Sequence, residues 1–127
     1  MKLLLDTNIL VAAVTRDTER SDTAVELLNE IDEAYVSVLS LMELRSVLTK
    51  KKQFERKRID RIEDRIASRA TVTFPDASDM MDANQLQSET LLYPMDALIL
   101  AAADAIDATL VSFDSEQSSM EQNFLQT

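Results

Sequence analysis

Four short strand-like runs punctuate this chain, and helical sequence fills every gap between them. They are Leu3-Leu4-Leu5, Tyr35-Val36-Ser37-Val38, Thr71 to Phe74 and Thr109 to Phe113. A spacing of roughly thirty residues is the length of a strand–helix–strand unit. Strands joined this way lie parallel, and a parallel sheet needs apolar cover on both faces. The expectation is therefore an α/β fold: a doubly wound parallel sheet of four to five strands with helices on both faces and right-handed crossovers. Such sheets bind ligands beyond the carboxyl ends of their strands. The residues that follow each run therefore carry the functional question.

The intervening segments read as helices. Asp6-Thr7-Asn8 supplies polar capping groups ahead of Ile9 to Val14. Ala24, Leu27, Leu28 and Ile31 share one helical face. Ser40 to Leu48 reads as a helix with Ser40 as N-cap and Glu43 three residues on, the spacing of a capping box. Phe54 to Arg69 and Ser78 to Leu92 follow, and Pro94 suits the start of an alanine-rich helix from Met95 to Ala105. The tail from Glu116 reads as a further short helix. There is no repeat or linker, and 127 residues are expected to form one domain. No apolar run approaches a membrane span, and Asp6 follows the opening leucines too soon for a signal peptide, so a cytoplasmic protein is expected.

Composition narrows the chemistry. The chain has no cysteine and no histidine. Thiolate and imidazole ligands, disulfides and histidine-based catalytic triads are excluded. A catalytic metal here must be held by oxygen, which points to Mg²⁺ or Mn²⁺. The net charge of −10 and five lysines against eight arginines give the chain a halophile-like acidity. It fits an ordinary acidic protein equally well. Glycine is absent, so left-handed turn positions must fall to Asn, Asp or other residues.

Four acids then stand out by position. Asp6 and Asp114 each follow a strand, Glu43 lies near the start of the helix after the second strand, and Asp96 falls in the first turn of the alanine-rich helix. Each has a structural alternative: a helix cap for Asp6, a capping box for Glu43, a helix-dipole partner for Asp96, a turn for Asp114. Together they point elsewhere. Carboxylates gathered in a cleft repel one another, and a divalent cation between them reverses that preference. Mg²⁺ or Mn²⁺ held there can bind a phosphate oxygen, activate water and stabilise a leaving oxygen. Phosphodiester hydrolysis fits this machinery.

These segments resemble the PIN domain nucleases, in particular the small VapC-type toxins of toxin–antitoxin pairs. Asp6-Thr7-Asn8 is similar to the family's first acidic motif, and Ser40-Leu41-Met42-Glu43-Leu44 to the second. Pro94-Met95-Asp96-Ala97-Leu98-Ile99-Leu100-Ala101-Ala102-Ala103 resembles the third, and Leu110-Val111-Ser112-Phe113-Asp114 the fourth. The chain departs from the family after Asp114, where an aromatic residue often follows. The resemblance implies a PIN-like doubly wound sheet, one or two Mg²⁺ or Mn²⁺ ions and endonucleolytic cleavage of RNA by metal-activated water. It implies Asp6 and Asp96 as main metal ligands, Asp114 as a third acid, Glu43 as a water-orienting residue or ligand of a second ion, and Asn8 and Ser112 as hydrogen-bonding supports. It also implies an antitoxin partner and a homodimer. A non-catalytic PIN-like binding module, a DNA nuclease and a ribosomal-RNA processing nuclease are the alternatives. A phosphoacceptor domain fits less well, since no lysine follows Lys57.

The segment from Arg45 to Arg69 holds ten of the thirteen basic residues against four acids, a net +6 in a chain of net −10. Lys50, Lys51, Lys52, Arg58, Arg61 and Arg65 are candidate RNA-phosphate contacts, and Arg58, Arg61, Arg65 and Arg69 recur on one helical face. A solvated charged helix or a surface for an acidic antitoxin segment would use the same residues.

Overall fold

The computed structural model describes residues 2–16 and 19–113. Four strands, β1 (Lys2–Leu5), β2 (Glu33–Ser37), β3 (Thr71–Thr73) and β4 (Thr109–Val111), form one parallel sheet in the order β3-β2-β1-β4. Six helices connect them: α1 (Thr7–Thr15) and α2 (Ser21–Glu30), α3 (Val38–Lys50) and α4 (Arg56–Arg69), α5 (Ala77–Glu89) and α6 (Pro94–Ala105). The expected α/β sheet is present, with four strands among the described residues. None of these helices is long and apolar enough to cross a membrane.

The strand order explains the layering. The first two connections step outward from β1 through β2 to β3, and the third crosses back to place β4 on the other side of β1. With right-handed crossovers, a reversal of direction moves the connecting helices to the opposite face. Alternate residues of the strands accordingly feed two cores. Leu4 pairs in register with Tyr35 and Leu110 and packs with Ala97, Leu100 and Ala101 of α6 and Leu86 of α5. Leu5 pairs with Val36 and Val111 and packs with Ile9 and Leu10 of α1, Leu44 and Leu48 of α3 and Ile59 of α4. Burying a leucine this fully is worth about 1.5–3 kcal/mol, which fixes β1 at the sheet's centre.

The helix boundaries show where local reading failed. Val38 opens α3 rather than closing β2, because the Ser37 hydroxyl accepts from the Leu39 N–H at 3.1 Å and caps the helix there. Ser40 is therefore interior and buried, and the expected Ser40–Glu43 capping box does not form. A capping box does form at α5, between Asp76 and Asp79. Arg16, Gln53 and Asp107 take the left-handed positions in this glycine-free chain, with φ of 56°, 56° and 54°.

Candidate active site

The sheet's reversal point lies between β1 and β4, and Asp6 sits on it. Its backbone N–H extends the strand pairing by donating to the Val111 carbonyl at 3.0 Å. The residue is only 7% exposed, and both carboxylate oxygens are held. Oδ1 accepts from the Thr7 N–H at 2.9 Å, and Oδ2 accepts from the Ser112 hydroxyl at 2.8 Å. Asp6 is thus both the N-cap of α1 and the centre of a polar network, so the capping and functional readings hold together. Asn8 orders the other side. Its amide donates to Ser112 Oγ at 3.0 Å, and its carbonyl oxygen accepts from the Phe113 N–H at 3.1 Å. A hydroxyl has one proton. With Asn8 filling an acceptor lobe, the Ser112 proton is directed at Asp6.

Glu43 reaches the same network from α3. It lies in the second turn of that helix rather than the first, because Ser37 and not Ser40 is the cap. No capping role is left for it. Its Oε2 accepts from the buried Thr7 hydroxyl at 3.3 Å, which links the second acidic segment to the first.

Asp96 is half-buried at the third position of α6, after Pro94. That helix ends at Ala105, and a three-residue turn closed by Ala108 N–H to the Ala103 carbonyl leads into β4. The helix therefore runs back antiparallel to β4, which brings its first turn and Asp96 to the carboxyl edge where Asp6 sits. Asp114 and the expected C-terminal helix lie outside the described residues. Among the described residues no three acids stand close enough together to hold a metal ion unaided.

The helix N-termini that open after β1 and β2, and the start of α6, carry partial positive charge toward this edge, which favours carboxylates and phosphates. The donor set is oxygen alone, the preference of a hard divalent cation. Mg²⁺ commonly takes one or two carboxylates and fills its remaining positions with water and substrate phosphate. A buried carboxylate pre-ordered by the Thr7 N–H and the Ser112 hydroxyl fits that requirement.

Two residues here carry no signal in isolation. Thr7 was legible only as a capping residue, since its hydroxyl partner is thirty-six positions away. Arg20, beside α2, stacks its guanidinium 4.9 Å from the Phe113 ring centre and donates Nη1 to the Phe113 carbonyl at 3.3 Å. It clamps the backbone that follows Ser112.

The basic segment divides by environment. Lys50, Lys51 and Lys52 are exposed at the end of α3, with Lys50 about 10 Å along the helix axis from Glu43. Arg45 bridges to Asp60 at 2.6 Å and to Glu63 at 2.9 Å. Burial pushes the Glu63 carboxyl above its ordinary range against the pull of Arg45. Arg58 stacks on Phe54 at 3.9 Å. Arg58, Arg61, Arg65 and Arg69 rim a cleft of about 870 Å³ between α4 and the α1–α2 pair, over a floor that includes Leu10, Val14, Leu28 and Ile62.

A model of the PIN domain matches residues 3–123. The fold is similar to VapC20 of Mycobacterium tuberculosis, described as a sarcin-ricin loop cleaving toxin, with a TM-score of 0.79 and 18% identity over 93% of this chain and 94% of that one. VapBC2 of Rickettsia felis, solved with a DNA fragment from its promoter, aligns with a TM-score of 0.72 and 26% identity over 91% and 90% of the two chains. A toxin–antitoxin complex from Klebsiella pneumoniae gives 0.69 and 23% over 91% and 88%. No curated protein sequence matches the chain.

Proposed function

This chain belongs to the PIN domain family, and from that premise we propose that it is a metal-dependent endoribonuclease, the VapC-type toxin of a toxin–antitoxin pair. The observation that carries the reading is the buried Asp6 carboxylate at the sheet's reversal point, held by the Thr7 N–H and the Ser112 hydroxyl. A carboxylate serving only as a cap needs no such second anchor from a distant strand.

In this reading Asp6 and Asp96 hold Mg²⁺ or Mn²⁺, with Asp114 as a third acid. The ion, when bound, supplies charge neutralisation at the scissile phosphate and an activated water. Glu43 orients the attacking water or helps hold a second ion. Ser112 and Asn8 keep Asp6 in one orientation, so the ligand geometry is set before substrate arrives. Helix N-termini at the carboxyl edge favour the phosphate backbone, and Lys50, Lys51 and Lys52 with the α4 arginines extend its positive track.

Partners follow from the remaining surface. The arginine-rimmed, apolar-floored cleft suits an acidic amphipathic segment of an antitoxin. Met42, Phe74, Met80, Met81, Leu91 and Tyr93 are large apolar side chains left exposed, which supports a homodimer covering part of them. In this reading the protein works in the cytoplasm, on cellular RNA.

The test is cleavage of RNA by purified protein in Mg²⁺ or Mn²⁺, with EDTA as control. The Asp96→Asn protein is expected to keep its circular dichroism spectrum and lose cleavage by at least about 100-fold, the scale of losing one preorganised electrostatic contact. Metal-dependent cleavage retained in that variant would sink the assignment.

A further inference from the structure

We propose that Thr7 is the positioning residue for Glu43: one threonine ties the two acidic segments together and decides which carboxylate oxygen of Glu43 is left to act. The proposal rests on the ribonuclease reading for its kinetic consequence and on geometry for the tether itself.

Thr7 is 5% exposed and opens α1. Its two donors point to different acids. The backbone N–H holds Asp6 Oδ1 at 2.9 Å, and the side-chain hydroxyl holds Glu43 Oε2 at 3.3 Å. Glu43 is exposed, and this hydroxyl is its one hydrogen-bond partner among the described residues. An untethered exposed glutamate samples many rotamers, and that freedom is lost only when something fixes it. The Thr7 hydroxyl fixes one end. Because Thr7 itself is buried at the start of a helix, and its N–H is committed to Asp6, the anchor cannot drift relative to Asp6. Glu43 Oε2 then accepts the hydroxyl proton, and Oε1 is the oxygen left to accept a proton from water.

Branching matters as well as the hydroxyl. Threonine's γ-methyl restricts χ1, so the hydroxyl has fewer directions open to it than serine's. Serine retains the donor with more freedom, and valine retains the shape without the donor. These two replacements separate chemistry from packing.

The experiment compares wild type with Thr7→Val, Thr7→Ser, Glu43→Gln and the Thr7→Val/Glu43→Gln double variant. Single-turnover RNA cleavage and KM are measured in Mn²⁺. In parallel, NMR three-bond couplings along the Glu43 side chain report its rotamer averaging in metal-free protein. Thr7→Val is expected to lower kcat about tenfold with KM within about twofold, and Thr7→Ser to recover most of that loss. In the Glu43→Gln background the Thr7→Val change is expected to add nothing, because the hydroxyl acts only through Glu43. The couplings are expected to show a preferred rotamer in wild type and averaging in Thr7→Val. Equal couplings in wild type and Thr7→Val, or an undiminished Thr7→Val loss on top of Glu43→Gln, would overturn the proposal. A wild-type protein that cleaves no RNA would instead overturn the ribonuclease reading, and the couplings would still decide the tether.

Discussion

Replacing Ser112 with alanine removes a single oxygen and unmakes the centre of the site. The Ser112 hydroxyl donates to Asp6 Oδ2 at 2.8 Å, and Asp6 is 7% exposed, so water cannot readily take the vacated place. A hydrogen bond to a charged acceptor contributes about 1.5–3 kcal/mol, and leaving that acceptor buried and unmet forfeits most of it. Asn8 loses its acceptor too, but it is half-buried and can turn its amide toward solvent. The expected loss is about 2 kcal/mol, which lowers Tm by about 6–10 °C in a domain of this size. Urea unfolding should be followed in EDTA, since a bound cation would stabilise the native state by mass action and hide the effect. Combining Ser112→Ala with Asp6→Asn isolates the pair: a coupling of at least about 1 kcal/mol is expected if the hydroxyl serves the charged carboxylate. A Ser112→Ala protein within about 0.5 kcal/mol of wild type, or strictly additive variants, would refute the claim that Ser112 holds Asp6.

Glu63 makes a pH signature. Burial holds its proton to higher pH in the folded chain than the ordinary 4.5 of the unfolded one, so its contribution to stability is full below that value and is lost as pH rises through the folded value. The urea midpoint of wild type should therefore fall relative to Glu63→Gln as pH rises above 4.5, and a constant difference would refute the linkage. Gln53 sits at φ 56° in a chain without glycine, and Gln53→Gly should raise stability by about 0.5–1 kcal/mol in thermal unfolding by relieving the left-handed strain.

The sheet was readable because burial on both faces writes short apolar runs at regular intervals, and Leu3-Leu4-Leu5 is the clearest of them. The ends of β2 and α3 were less readable. Ser37 and Ser40 are equally plausible caps by residue type, and what decides is that the Ser37 hydroxyl takes the Leu39 N–H while Ser40 is buried on the same face of α3 as Leu44 and Leu48. That one-turn error altered the meaning of Glu43, which lost its local explanation and gained a long-range partner in Thr7. The position of Asp6 at a strand end was legible from spacing, whereas the expected fourth strand ran on to Phe113 and enclosed Ser112, which in the structure follows its end at Val111. Their mutual hydrogen bond was not, since register between β1 and β4 joins residues more than a hundred positions apart. Arg20 had no signature at all. Its stacking on Phe113 is a product of tertiary placement alone.

The sheet through Leu4 and Leu5 is also a partition. Leu4 answers to α5 and α6, and Leu5 answers to α1 through α4, so a side chain repacked on one face is not felt through contact on the other. The cleft lies wholly on the Leu5 side, while Asp96 arrives from the Leu4 side. If the cleft seats the proposed antitoxin segment, substitutions there can change partner preference and leave the helix that carries Asp96 intact on the other face. The two faces meet at the carboxyl edge, where Asp6 joins the start of α1 to the end of β4.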